Sequence, residues 1–278
     1  MASNTALVTI ALVRDTFREA FARKIFWGFF GCTTAIILFF IFLMKIDVVE
    51  GALATISLFG RESEAQDVTN LVRGVHGALA AFLYGFGLFL AVFASAGLIP
   101  TVFEPGRIEL LLSKPVRRHH ILLGRYLGNL LVIGFNVTYL VLSIWLILGF
   151  KTNIWTHAFL YSIALSIFTF AVLLTIVLLV AVLSESAVLA TMVTYGVMIT
   201  GLIVAQKSTL ERLLTSEWSR DVVRVLYHAL PKVWDTGNIG RLLVIGAPIE
   251  SWAPLWSSAL FGAVMLGAGL FFFARRNY

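Results

Sequence analysis

Six apolar stretches, each about twenty residues or longer, divide this chain and leave little between them from which a soluble core could be built. Crossing hydrocarbon takes about 20 mostly apolar residues in a helix, because a helix satisfies its own backbone groups where no water can. The stretches lie at about 25–44, 77–99, 127–150, 155–183, 187–205 and 254–274. Of the 278 residues 13% are charged, about half the share of an ordinary soluble domain. The expected fold is an all-α polytopic membrane protein with six transmembrane helices. No internal repeat or long Gly/Ser linker divides it, so 1–278 is expected to be one membrane domain. Charged residues interrupt the first 24 positions, which excludes a short apolar leader core there.

Lysine and arginine set the expected orientation. With the N-terminus inside, six spans return the C-terminus inside. The inner segments then hold 11 basic and 5 acidic residues, a balance of +6, and the outer segments hold ten of each. The first outer loop has Lys45, Arg61 and Arg73 against Asp47, Glu50, Glu62, Glu64 and Asp67. The positive-inside rule favours both termini in the cytoplasm, in an inner or plasma membrane. The net charge of +6 is spread over loops between spans, which fits anionic lipid headgroups and not nucleic acid.

Several chemistries find no support. The single cysteine, Cys32, excludes an intrachain disulfide and a cysteine-based metal site. No HExxH, GxSxG or paired intramembrane aspartate is present, and His119 and His120 are expected to point apart on a helix. There is also no GxxxxGK(S/T), so the chain binds no ATP by that route. No charged residue stands inside a span away from its ends, which argues against a proton- or ion-coupled carrier.

Between the second and third stretches runs EPGRIELLLSKPVRRHHILLGRYLG, residues 104–128. It combines Glu104 and Glu109 with Arg107, Lys114, Arg117, Arg118 and Arg125. Its helical piece, 107–113, is too short to persist alone in water, so something must dock it. A plain basic surface loop accounts for the charges but not for the order E-L-L-L-S-K-P. The segment resembles the first cytosolic loop of ATP-binding-cassette permeases of the type-2 exporter (ABC-2) class. That loop reads roughly acidic–x–G–T–(I/L)–E–(L/Y)–L–L–S–(K/R)–P–V–x–R, then L–G–(K/R)–Y. Gly106, Ile108 to Val116, Arg118 and Leu123 to Tyr126 match it, while Arg107 replaces Thr and Arg117 is extra.

The resemblance implies a coupling loop made of Glu104, Gly106, Arg107, Glu109, Leu110, Leu111, Ser113, Lys114, Pro115 and Arg118. A separate ABC ATPase subunit would receive it. ATP and Mg would sit on that partner, and this chain would hold no cofactor. A second permease chain would complete the assembly, as a homodimer or with a close relative, across the second and fifth spans. Gly85 and Gly87 make the second span suitable for that contact.

Two regions outside the spans have helical periodicity. Over 5–24, Ala6, Ile10, Val13, Phe17, Ala20 and Phe21 recur on one side, with Arg14, Asp15, Arg18 and Arg23 on the other. An amphipathic helix in the cytoplasmic interface is expected, similar to the elbow helix of the type-2 exporters. The alternative is a simple extension of the first span. Over 207–230, Leu210, Leu213, Leu214, Trp218, Val222, Val225, Leu226 and Ala229 recur three or four apart, up to Pro231. The following 232–254 is broken by Gly and Pro and reads as an outer cap, with Trp234, Trp252 and Trp256 near headgroups. This outer region is either a gate or partner-docking surface, or an inert connector.

Within the spans stand Asn129, Asn136, Tyr139, Ser162, Ser166, Thr169, Thr191, Thr194 and Tyr195. Such residues more often bond between helices or to their own backbone than line a substrate path. Three functions follow. The chain is the permease of an ATP-driven exporter, or a mechanotransmitter passing ATPase force to an extracytoplasmic partner without carrying a substrate, or an intramembrane enzyme or scaffold. The last lacks a visible catalytic constellation.

Overall fold

A computed structural model of the protein describes residues 2–49, 53–58, 61–62, 66–99, 118–214 and 216–275. Helix α1 (Ala2–Ala22) precedes α2 (Lys24–Leu38), which ends in a wider π turn at Phe39–Leu43. Arg23 breaks the two with an extended backbone, φ −90° and ψ 131°. The Trp27 indole N–H donates to the Phe21 carbonyl at 2.8 Å across the bend. The N-terminal helix is therefore a separate element and not an extension of the first span.

The following loop departs from the all-helical expectation in one detail. It holds a small antiparallel sheet of β1 (Lys45–Val49), β2 (Leu53–Leu58), β3 (Arg61–Glu62) and β4 (Gln66–Asp67). β2 is central, pairing Lys45 with Ser57 and Val49 with Leu53 on one side, and β3 and β4 on the other. The β-branched residues of KIDVV and LATISL favour this pairing. The last strand passes directly into α3 (Val68–Phe82), where the Asp67 carboxylate accepts the Asn70 N–H at 3.0 Å as an N-cap.

A second π turn, Leu83–Gly87, joins α3 to α4 (Leu88–Ala96). After the segment 100–117, which lies outside the described residues, come α5 (Arg118–Thr152) and a 3₁₀ turn at His157–Leu160. Then follow α6 (Tyr161–Ser184), α7 (Ala187–Ala205), α8 (Lys207–Leu213), α9 (Glu217–Ala229), α10 (Val233–Ile245) and α11 (Ala253–Arg275). Among the described residues six helical runs are long and apolar enough to cross a membrane: 24–43, 68–95, 119–152, 157–184, 187–205 and 253–275. The second and third begin eight or nine residues before their apolar stretches do, because the helix continues through polar positions.

Helix α6 is the axis of the bundle. Its residues Phe170 to Leu178 are nearly all buried, and α4, α5, α7, α10 and α11 pack around it. Small residues bring α11 close: Gly262 lies against Val172, and Gly269 against Leu178. Gly85 faces Trp234 of α10 within the same chain, with room there for a methyl at ordinary contact distance, 3.7 Å.

Most span polar groups bond locally or between helices. Thr169, Thr191 and Thr194 donate to carbonyls four residues back. The Tyr195 hydroxyl donates to Phe89 O at 2.8 Å, and Asn129 Nδ2 to Ser95 O at 3.3 Å. Lys151, at the end of α5, donates to the carbonyls of Phe40, Ile41 and Met44 at 2.7, 2.9 and 2.7 Å. It thereby caps the orphan carbonyls at the end of the first span and ties that end to the third.

The 232–254 region differs from the expected broken cap. Residues Val233–Ile245 form a helix tucked against α3, α6 and α7, with Val233, Thr236, Gly237, Ile239, Gly240 and Val244 buried. Gly237 and Gly240 share the face that receives the Tyr84 ring; a methyl at Gly240 would come within 2.8 Å of the Tyr84 hydroxyl. Trp252 and Trp256 are exposed, as a headgroup belt requires, but Trp234 is half-buried and points its N–H at Met198 O. Beside α10, the Tyr227 hydroxyl donates to Asp235 at 2.8 Å, with Lys207 and Lys232 over its ring. Burial first, and the Asp235 carboxylate second, push the Tyr227 pKa up to about 12.

Candidate functional site

The residues expected to carry coupling fall mostly outside what the structure describes. Glu104, Gly106, Arg107, Glu109, Leu110, Leu111, Ser113, Lys114 and Pro115 lie in 100–117. Arg118 is the first residue of α5. Both roots of that segment are described, however, and α1 holds both of them.

The descending root is the end of α4. Leu98 and Ile99 are buried, and Leu98 joins Ala20, Phe26 and Val132 in one apolar cluster. The Arg23 guanidinium lies over Gly97, where an added methyl would come 2.5 Å from Nη1. Arg23 Nη2 in turn donates to Glu19 Oε1 at 3.1 Å.

The ascending root is the first three turns of α5. Ile121 and Leu122 are buried beneath it. Gly124 and Gly128 form a flat strip that receives Leu12 and Thr16 of α1. A methyl would come 2.6 Å from Leu12 Cβ at Gly124 and 2.5 Å from Thr16 Cβ at Gly128. Between the two glycines, Arg125 is 1% exposed. Its Nη1 donates to Glu19 Oε2, and its Nη2 to Asp15 Oδ2 at 3.2 Å. Glu19, bonded to both Arg23 and Arg125, links the two roots through one carboxylate.

Arg125 counts among the basic residues of 104–128, and the structure buries it under α1. A guanidinium so enclosed must keep its partners, because a buried charge without them costs several kcal/mol. The docked face of α1 follows the apolar stripe read along the chain at Val13, Phe17 and Ala20, with Arg14, Asp15 and Arg18 exposed, and departs from it at Phe21. Leu12, Thr16, Glu19 and Ala20 are covered or half-covered, whereas Phe21 is 42% exposed. The cue was Asp15 and Glu19 one turn apart, but nothing local to them points to an arginine 106 residues away. His119 and His120, expected to diverge, bring their rings to 4.2 Å at the start of α5, where first-turn side chains are free to fold together.

The chemistry this arrangement offers is mechanical. The helices on either side of 100–117 thus meet the same N-terminal segment and share the Glu19 carboxylate. Comparison with curated proteins finds no match. Residues 10–278 match the sequence model of the family described as ABC-2 family transporter protein, which covers both roots, α1 from Ile10 and all six apolar helices. The chain belongs to the ABC-2 family of transporter membrane proteins.

Proposed function

We propose that this chain is the membrane-spanning permease subunit of an ATP-driven exporter, and that 104–118 is the loop through which a separate ATPase subunit drives it. Family membership supports the ATPase partner. The observation that carries the coupling role is the clamp of α1 on both roots of 100–117 through Glu19, Arg23 and Arg125. A loop meant only to connect two spans needs no such double anchorage. The charge asymmetry supports cytoplasmic termini and α1 in the cytoplasmic interface. One ATPase site per partner and two permease chains per complex complete the assembly. A span interior poor in charge favours an apolar or amphipathic cargo.

Glu109 is the test. Removing one partner of a desolvated charge pair at an interface costs about 2–5 kcal/mol. Glu109→Lys is expected to insert at normal levels and to lose ATPase capture and substrate-stimulated hydrolysis in membranes with matched permease amounts. Wild-type coupling in that variant would return 104–118 to a plain surface loop.

A second reading draws on α9. Its Trp218, Val222 and Val225 are exposed at 76, 37 and 65%, and such a face at the outer surface suits docking of an extracytoplasmic partner by a mechanotransmitter. A stoichiometric outer protein in the purified complex would favour it.

A further inference from the structure

The six-span bundle contains a cavity that neither the loop nor its roots use. It opens between the first and second spans, with exposed Cys32 and Phe82 at its rim, and reaches Asn136 of the third span and Ser166 of the fourth. Its enclosed part is narrow, about 30 Å³, with room for about two waters, and a wider mouth lies in front of it. Like small-molecule sites, the cavity is lined by apolar side chains with a few convergent polar groups.

Asn136 is 1% exposed and lines this cavity. The Thr33 hydroxyl lies 2.7 Å from its Oδ1 and also 3.0 Å from Phe29 O. A threonine hydroxyl meets only one end of an amide. The other end, Nδ2, has no partner among the described residues. The same holds if the amide is turned over, since one end always remains free. An unpaired amide in hydrocarbon is costly, so its position in a cavity wall points to a guest that pairs with it. The Ser166 hydroxyl, beside that of Tyr84, lies in the wall of the same cavity.

Cys32 and Thr33 stand near the middle of the first span, and Asn136 near the middle of the third. A phospholipid keeps its polar groups at the membrane surface and cannot present one at this depth. We propose that this cavity is a binding site, entered sideways from the bilayer, for a lipophilic alcohol or phenol whose hydroxyl pairs with Asn136 and Ser166. A hydroxyl both donates and accepts, so it satisfies either end of the amide as well as the serine. The hydroxyl end would enter the narrow part, and the apolar body would lie in the mouth beside Cys32 and Phe82.

The test uses the full chain in lipid nanodiscs and two photoreactive probes: an alkylphenol bearing a trifluoromethyl-diazirine, and its counterpart without the hydroxyl. The phenol is expected to insert saturably into cavity residues, about tenfold better than the counterpart, the ratio one buried hydrogen bond supports. It should also slow alkylation of Cys32 by N-ethylmaleimide. Asn136→Leu is expected to bring the two probes to parity. Should that variant fail to fold, Ser166→Ala is expected to reduce the preference while Cys32 alkylation reports an intact site. Equal insertion of both probes in the unaltered protein would overturn the proposal. Labelling spread over lipid-facing residues, or a cavity that takes only water, would overturn it as well.

Discussion

Helices α1 and α9 both lie outside the spans, yet α1 is docked on α5 while α9 is held near its C-terminal end, at Tyr227. α1 rests on a strip of two glycines with a buried arginine between them, and its Thr16 and Ala20 are covered. Every described residue of α9 is at least partly exposed, although its apolar and polar faces are far more sharply divided. Amphipathicity gives a helix a face; the receiving surface decides whether that face is used. α5 supplies small residues and a countercharge beneath α1, whereas the charged partners described for α9, Asp235, Lys207 and Lys232, meet it at Tyr227 and leave the face of Trp218, Val222 and Val225 open. For α9, lipid headgroups or an outer partner remain the natural cover for Trp218, Val222 and Val225.

The sharpest way to break this comparison is to remove the charge under α1. Glu19→Ala leaves Arg125 buried with only the half-exposed Asp15, and is expected to cost about 3–5 kcal/mol. Asp15→Ala removes a carboxylate that is 56% exposed and should cost under about 1 kcal/mol. Thermal unfolding in matched detergent should separate the two variants widely; equal shifts would mean that Arg125 is not held as described. Filling the strip comes next. Gly128→Val should overpack against Thr16 and cost about 1–3 kcal/mol, and protease accessibility of residues 2–22 should rise with it. The smallest effect is expected on α9, where Trp218→Ser should change stability by less than about 0.5 kcal/mol. A large loss there would show that α9 is packed after all.

The spans were legible because hydropathy over twenty residues is a strong, local signal. The elbow break was legible in part, since charged residues crowd 14–24. Arg125 was not, because basic residues next to a span ordinarily mark a loop, and the acids that enclose it lie 106 and 110 residues away. The insertion of α10 was equally hidden. Gly237 and Gly240 read as breaks along the chain, but they share the helix face that Tyr84 requires to be bare. The sheet could have been read from the β-branched runs of 45–49 and 53–58. The coupling residues 104–115 rest on the pattern of the segment itself and on the way its two roots are held.

The central claim is that α1, through Arg125, carries what the loop receives. The most direct measurement compares Arg125→Gln with Glu109→Lys in reconstituted membranes containing the ATPase. Arg125→Gln should still capture the ATPase, because 104–115 is untouched. Its substrate-stimulated hydrolysis should nonetheless fall by more than about tenfold, the effect of some 1.4 kcal/mol. Reversing the pair in Glu19→Arg with Arg125→Glu should restore part of it. Full coupling in Arg125→Gln at matched permease levels would contradict the account.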